Sequence, residues 1–417
     1  MKVNRAIDVD AALGNPALRG WLVQRITASP QQRITFADYM EQVLYHPLYG
    51  YYSTRALQLG FRGDFVTAPH LAPDFGELLA EQFAEMWLVL GHPNPFTLLE
   101  MGAGRGRLAK QILSYLIEHY PDLVRALNYT IVERSPALIA EQQHHLQPFL
   151  SANSSDQGPI VRWCDWADLP ADSLVGCCFS NELVDAFPVH LVTIVAGQLQ
   201  EIYVALAEKD GETLVETIAD LSTPQLADYF RDLNLDLSNS VYATGYRTEV
   251  NLAALDWLKI VADRLHRGYL LTIDYGYPAH RYYSPTRRGG TLQCYYQQAH
   301  HNDPYCYLGE QDVTAHVNFT ALEQWGQANG LERLGFIEQG LFLMALGLGD
   351  RLANLSTAQA TDPESIQTLL KRRDALHSLV TPLGLGNFGV LLQGKCLSPE
   401  QKNYPLKGFQ VPSMGNA

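Results

Sequence analysis

Three glycines at alternate positions follow an acid in Leu98-Leu99-Glu100-Met101-Gly102-Ala103-Gly104-Arg105-Gly106-Arg107. An apolar run enters this stretch and an amphipathic one leaves it, so it reads as a strand turning into a helix. Glycine lets the backbone turn sharply and lets a ligand come close. The helix that follows presents unpaired amides at its start. A dinucleotide cradle has the pattern G-x-G-x-x-G, and counted from Gly102 its third glycine falls at 107, where the chain has Arg107. The loop is instead acid-x-Gly-x-Gly-x-Gly. A carboxylate there repels a pyrophosphate but suits an ammonium and a sulfonium, the charges that S-adenosylmethionine carries.

Two further acids stand at the ends of the next two predicted strands. Glu133, after NYTIV, is placed to bridge ribose hydroxyls. Asp165, after PIVRWC, is followed by Trp166, and the pair offers a polar group and a ring to an adenine. Strand ends of a parallel sheet share one edge, so Glu100, Glu133 and Asp165 are expected to line one crevice. The bland alternative is a tight turn with three surface acids. A fourth run, SLVGCCFS, leads into Asn181-Glu182-Leu183-Val184-Asp185-Ala186-Phe187-Pro188. If that segment turns helically, Glu182 and Asp185 fall at i and i+3 and converge. A guanidinium is the natural guest of two carboxylates. The alternative is a helix start capped by Asn181, with Asp185 solvated.

Two other stretches look unlike scaffold. Gly63 to Pro69 (GDFVTAP) reads either as a lid that brings Asp64 or Thr67 to the ligand, or as a turn entering a helix. Residues 289–320, with Tyr295, Tyr296, Tyr305 and Tyr307, read as the wall of an arginine or peptide channel or as a surface loop.

The elements that must position these groups follow from periodicity. Helices are expected over Pro16 to Ser29, Thr35 to His46, after Pro73, and over Arg107 to His119 and Pro136 to Leu146. Four apolar runs (FTLLEMG, NYTIVE, PIVRWC, SLVGCCFS) have the continuous character of a parallel sheet covered on both faces. After Pro188, VHLVTIV, QEIYVALA and ETLVETI are separated by short turn signals and read as an antiparallel meander. Helices over Pro224 to Leu233 and Leu252 to Leu265 lead to a fifth buried strand, GYLLTID. A polar, aromatic loop is expected from Tyr275 to Asn318, then a helix (Thr320 to Asn329), a strand (Leu331 to Ile337), a charged helix (Asp362 to Leu379) and a last strand, FGVLLQG. The expected architecture is α/β, an open doubly wound sheet with a helical N-terminal region and inserts after strands 4 and 5. Its parts are a helical region and lid over 1–95, a first core segment over 96–189, a β-rich insert over 190–248, and the rest of the core over 249–417 with the loop at 275–318.

Composition narrows the chemistry. The 417 residues carry 30 Lys+Arg against 44 Asp+Glu, a net charge of −14, so a grip on long nucleic acid is not expected. Six cysteines without a CxxC pair signal neither a disulfide framework nor a structural zinc site, and no metal is expected. Gly389 to Cys396 nearly spells a phosphate loop, but its interior is an apolar strand and Cys396 replaces the hydroxyl. The adjacent pairs His144-His145 and His300-His301 point apart on any regular element. No apolar run approaches 18 residues, so no membrane span is expected. MKVNRAIDVD lacks the apolar core of a signal peptide and the character of a transit peptide, and a cytoplasmic location is expected.

The chain resembles the MidA-like family of class I S-adenosylmethionine-dependent methyltransferases. The resemblance is carried by YHPLYGYY (45–52), GDFVTAP (63–69) with FGELLAEQF (75–83), LLEMGAGRGRLA (98–109), YTIVERSP (129–136), NELVDAFPVH (181–190), IDYGYP (273–278), RGGTLQCYY (288–296) and QDVTAHVNFTAL (311–322), in the family's order over most of the chain. It implies a Rossmann-like fold and S-adenosyl-L-methionine as cofactor, held by Glu100, Gly102, Gly104 and Glu133. Gly106, Asp165, Trp166, Asn181, Asp64 and Thr67 complete the expected cofactor set, and Glu182 and Asp185 are implied beside the transferred methyl as catalytic groups. The GDF-x-T segment and the loop ending at Asn318 are implied to close the site. Mitochondrial members of the family dimethylate an arginine on a core subunit of respiratory complex I, so a protein substrate of that type is the expected partner, with a homodimer as an open option. Two positions depart from the pattern: His70 where the family often has Glu, and Asn318 where it often has Asp. The alternatives are a chaperone-like assembly factor with little turnover, and a methyltransferase of a small molecule.

Overall fold

The computed structural model describes residues 14–54, 68–150, 160–357 and 362–410. The chain divides into two compact units. A core unit is made of Val66–Val184, Trp257–Gly276 and Leu322–Ala417; an insert unit is made of Met1–Phe65, Asp185–Asp256 and Tyr277–Ala321. The division near residue 65 differs from the boundary expected at 95. Helix α1 (Asp74–Val89) belongs to the core unit because its face of Phe75, Leu78, Leu79, Phe83 and Met86 is buried in that unit's core.

The core unit is built on a seven-stranded sheet of β1 (Phe96–Met101), β2 (Leu127–Val132), β3 (Ile160–Cys164), β4 (Leu174–Asn181), β5 (Leu265–Asp274), β6 (Glu332–Glu338) and β7 (Gly389–Lys395). Their spatial order is β3-β2-β1-β4-β5-β7-β6. The first five run parallel, and β7 lies antiparallel to both β5 and β6. Every residue of β1 is buried, as a central parallel strand covered on both faces demands. Residues 389–396, the near phosphate loop, are strand β7 and the residue after it. The apolar run at 341–348 is no single element: helices Gln339–Leu346 and Leu348–Thr357 meet at Gly347, whose φ of +113° stops the first.

Register fixes the edge where chemistry is possible. Met101 pairs with Val132 and Ser180, Val132 with Cys164, and Asn181 with Ile273. The next residues, Gly102, Glu133, Asp165 and Glu182, therefore leave the sheet at one carboxyl edge. Helix α2 (Arg107–His119) follows β1, and helix α3 (Pro136–Leu150) follows β2.

The insert unit has its own core, including Leu22, Phe36, Tyr39, Leu191, Val204 and Cys294. Its main sheet is antiparallel. Gln198–Leu206 pairs with His190–Val195, Leu214–Ala219 and the short Arg33–Thr35, and Arg247–Val250 flanks His190–Val195. The stretch expected as a loop from 275 to 318 contains a second sheet of Gln293–Tyr296, Ala299–His301 and Asp312–Thr314. It is anchored by Glu249, 1% exposed, whose carboxylate accepts from the backbone N–H groups of Thr291 (2.9 Å) and Leu292 (3.1 Å) and from the Thr291 hydroxyl (3.0 Å). Gly290 sits so close that a Cβ there would lie 2.0 Å from a Glu249 carboxylate oxygen. That contact and a φ of +74° explain the second glycine of RGGTLQ.

Candidate active site

The glycine turn leaves β1 with φ of +72° at Gly102, +52° at Gly104 and +75° at Gly106, a region costly for residues with a Cβ. Gly106 caps α2 in the left-handed conformation, and its N–H donates to the Ala103 carbonyl at 2.8 Å. A Cβ on Gly102 would come within 2.7 Å of Leu183 Cδ1, and one on Gly106 within 3.3 Å of Gln142 Cγ. At Gly104 it would meet no atom within 4 Å.

Glu100 lies beneath this turn, 3% exposed, and accepts a hydrogen bond from the Tyr129 hydroxyl at 2.7 Å. Burial pushes its carboxyl up to about 7; the Tyr129 bond pulls it down, and the Glu133 charge pushes it further up. Glu133 itself is 9% exposed. It accepts from the Ser135 backbone N–H at 2.9 Å and from the Gln142 amide at 3.1 Å. Burial raises its pKa against these bonds. Each oxygen has a lone pair left for a hydroxyl.

Asp165 is exposed just past β3, and its backbone N–H donates to Asp168 at 2.9 Å. Trp166 is half-buried and opens a short 3-10 turn. Asn181 donates from Nδ2 to Glu182 at 3.1 Å, while its Oδ1 is buried without a partner among the described residues.

The segment after β4 does not turn helically through both acids. Glu182 has φ of +52°, its N–H donates to the Ile273 carbonyl at 2.9 Å, and the 3-10 turn begins only at Val184. The expected i and i+3 convergence on one helical turn is thereby corrected. The division into units passes between Val184 and Asp185, so the two acids belong to different units. What holds the segment is Asp274, fully buried at the end of β5. Its carboxylate accepts from the backbone N–H groups of Val184 (2.9 Å), Leu183 (3.3 Å) and Tyr275 (2.9 Å). Leu183 in turn fills the space beside Gly102.

Asp64 and Thr67 lie outside the described residues. His70 is half-buried on a short helix, its imidazole lowered to about 4 by burial and then by the charges of Arg107 and Arg105. That ring is neutral at ordinary pH.

In the insert unit Asp185 is 5% exposed, contrary to the solvated alternative, and its carbonyl accepts from the Ala315 N–H at 2.9 Å. Near it Tyr52 donates to Asp312 at 2.9 Å and stacks on Tyr45 with ring centroids 5.2 Å apart. The Tyr52 phenol is held well above its usual value by burial first, then by Asp312, Tyr45 and Asp185. Asn318 is 8% exposed; it donates to the Tyr229 hydroxyl at 2.9 Å and accepts from the Ala321 N–H at 3.3 Å, the bonding of a helix cap. Of the four tyrosines expected to wall a channel, Tyr296 and Tyr307 stack on each other at 4.0 Å, Tyr305 donates to Glu216 and Tyr295 to Gln293.

Three residues of the core-unit edge were not singled out from the sequence. Tyr129 looks like any strand aromatic. Asp274 is an acid at a strand end, the same signal that marked Glu133. Gln142 stands in the buried stripe Leu138, Gln142, Leu146, Phe149 of α3, where an amide among apolar residues is the clue. No group of three or more His, Cys, Asp or Glu among the described residues could hold a metal ion, and all six cysteines are free.

A sheet of this order with its seventh strand reversed, a glycine turn after the first strand and an acid just past the second define the class I S-adenosylmethionine-dependent methyltransferase fold. The open space over Gly104, the buried Glu100, and Glu133 with lone pairs left on its carboxylate fit that cofactor's chemistry. The chain belongs to the family described as S-adenosyl-L-methionine-dependent methyltransferases, whose sequence profile matches residues 78–337. It is 29% identical over 398 residues to a Drosophila melanogaster protein named "Protein arginine methyltransferase NDUFAF7 homolog, mitochondrial", covering 90% of this chain and 85% of that protein. The human protein arginine methyltransferase NDUFAF7, mitochondrial, is 28% identical over 401 residues, covering 90% and 83%. A crystal structure from Burkholderia thailandensis with S-adenosyl-homocysteine bound is 32% identical, with a TM-score of 0.78 over 94% of this chain and 96% of that one. The chain is thus an enzyme that uses S-adenosyl-L-methionine.

Proposed function

We propose that the enzyme methylates a protein arginine, on a core subunit of a complex I-type respiratory enzyme or a related partner. The observation that carries this reading is Glu182, a carboxylate held at the end of β4 in left-handed backbone by Asp274 and Ile273. The names of the curated relatives, which match over most of both chains, support arginine as the acceptor. Bound S-adenosyl-L-methionine supplies an electrophilic methyl on a sulfonium. Glu133 accepts ribose hydroxyls, with Asp165 and Trp166 beside it for the adenine. Gly104 leaves the backbone bare for close approach, and the acid at 100 favours the cofactor's positive end. Glu182 accepts hydrogen bonds from the guanidinium and takes the proton that the attacking nitrogen loses. The insert unit carries its own set of the chemistry a guanidinium prefers, in Asp185, Asp312 and the stacked Tyr45 and Tyr52.

Glu182→Ala tests the assignment. Methyl transfer to protein, followed with labelled cofactor, falls by about 10²–10⁴ as expected for loss of a proton acceptor, while the cofactor Kd changes little. Undiminished transfer by the variant overturns the role, and arginine is rejected if mass spectrometry finds the methyl on another residue type. We further propose a reducing, cytoplasmic setting on the six free cysteines, although the curated relatives are mitochondrial by name; fractionation of the source cells decides it. No helix among the described residues is long and apolar enough to cross a membrane.

A further inference from the structure

Gln142 is fully buried in α3, and its side-chain amide is bonded at three points. Nε2 donates to the Gly104 carbonyl at 2.7 Å and to Glu133 Oε2 at 3.1 Å; Oε1 accepts from the Trp163 indole N–H at 2.8 Å. The three partners come from the glycine turn after β1, the end of β2 and strand β3. Only one orientation of the amide works. Turned over, its oxygen would face a carbonyl and a carboxylate, and its NH₂ would face an indole donor. The Gln142 stem also lies against Gly106, where an added Cβ would be 3.3 Å from Cγ.

We propose that Gln142 is a positioning residue for the cofactor, which sets the glycine turn and Glu133 at a fixed separation and aims the Glu133 carboxylate at the ribose. The proposal rests on the reading of Glu133 as the ribose acceptor. A carboxylate on a strand end has free rotation about its side-chain bonds. The Ser135 N–H fixes one oxygen, and the Gln142 amide fixes the other. The same NH₂ group ties that carboxylate to Gly104, the glycine that faces open space. Ribose and methionine portions of one ligand must be met by two separate chain segments, and a single amide spans them. Trp163 then locks the amide from the far side.

The test compares Kd for S-adenosyl-homocysteine and for an analogue lacking both ribose hydroxyls, using wild type, Gln142→Met and Trp163→Phe. Wild type is expected to prefer the natural ligand. Gln142→Met should weaken natural-ligand binding about 10- to 100-fold, the range seen when outer hydrogen bonds that orient metal ligands are lost, and weaken analogue binding by a smaller factor, since the analogue feels only the loosened glycine turn. Its kcat at saturating cofactor should stay within about threefold. Trp163→Phe keeps an aromatic side chain, though a smaller one, and removes the indole donor, so it should move natural-ligand binding in the same direction by a smaller factor and keeps the proposal testable if Gln142→Met does not fold. Equal weakening of both ligands, or no weakening, in the variants overturns the positioning role. A wild type indifferent to the ribose hydroxyls overturns the assignment of Glu133 itself, and the proposal with it.

Discussion

Glu100 is expected to couple cofactor binding to proton release. Its carboxyl is pushed from the ordinary 4.5 up to about 7, by burial first and by the Glu133 charge, against the pull of the Tyr129 bond. About half of the free enzyme therefore carries a proton there at pH 7. A cation brought beside the turn favours the carboxylate, so binding should expel about half a proton at pH 7 and nearly a whole one at pH 6. The observed affinity should then be about fivefold weaker at pH 6 than at pH 7. Isothermal titration with S-adenosylhomocysteine in buffers of different ionisation enthalpy counts the protons directly. The ligand's own α-amino group titrates near 8, so the window is kept to about pH 5.5–7. The free protein shows the opposite preference. Because the folded value lies above the unfolded one, the proton on Glu100 favours the folded state. That contribution is fully present below about pH 4.5 and is lost as the pH rises through about 7, worth at most about 3 kcal/mol. Glu100→Gln should therefore stabilise the free protein at pH 8, weaken cofactor binding, and abolish the proton release. A buffer-independent heat with a flat Kd across that window refutes the coupling.

Gly104→Val should lose cofactor binding with little loss of fold, because its Cβ meets open space and only the left-handed backbone is penalised, by about 1–2 kcal/mol; thermal melts with and without S-adenosylhomocysteine check both halves. Asp274→Ala should leave three backbone N–H groups without their acceptor and free the Glu182 segment, lowering kcat by about tenfold or more through misplacement; steady-state kinetics at saturating cofactor read it. Gly290→Ala should destabilise the protein by about 3 kcal/mol, since the new methyl displaces the buried Glu249 carboxylate from its donors, and urea unfolding measures the loss.

The core unit was legible because its elements are long and periodic. Helix α2 begins at Arg107 and ends at His119 as the apolar spacing required, and the continuous apolar runs of β1 to β5 are where a doubly wound sheet needs them. Strand ends then carried their acids to one edge by register alone. The insert unit was less legible. Arg33–Thr35 is three residues long and pairs with a strand about 170 residues away, and no local pattern encodes such a partner. The strands between 293 and 314 (QCYY, AHH and DVT) are only three or four residues long and mix polar and apolar residues without a period, so no pattern marked their pairing. Residue type gave Glu182 but not its backbone: a left-handed glutamate is fixed by the Asp274 and Ile273 bonds, which come from 90 residues downstream.

The glycine motif shows why spacing alone was informative. Gly102 is required by Leu183, which the Asp274 clamp presses against it, and Gly106 by Gln142 and by the left-handed cap of α2. Both are demands of the fold, made by neighbours from β4 and α3. Gly104 has no neighbour to satisfy, yet it shares the same unfavourable backbone region. The backbone angle alone favours glycine there, as it does at Gly91, Gly197 and Gly211, which also face open space. The two outer glycines thus set the turn against the sheet, and in the proposed function the middle one leaves its surface clear for the cofactor. One amide nitrogen of Gln142 donates both to the Gly104 carbonyl and to Glu133, which ties the middle of the turn to the acid past β2.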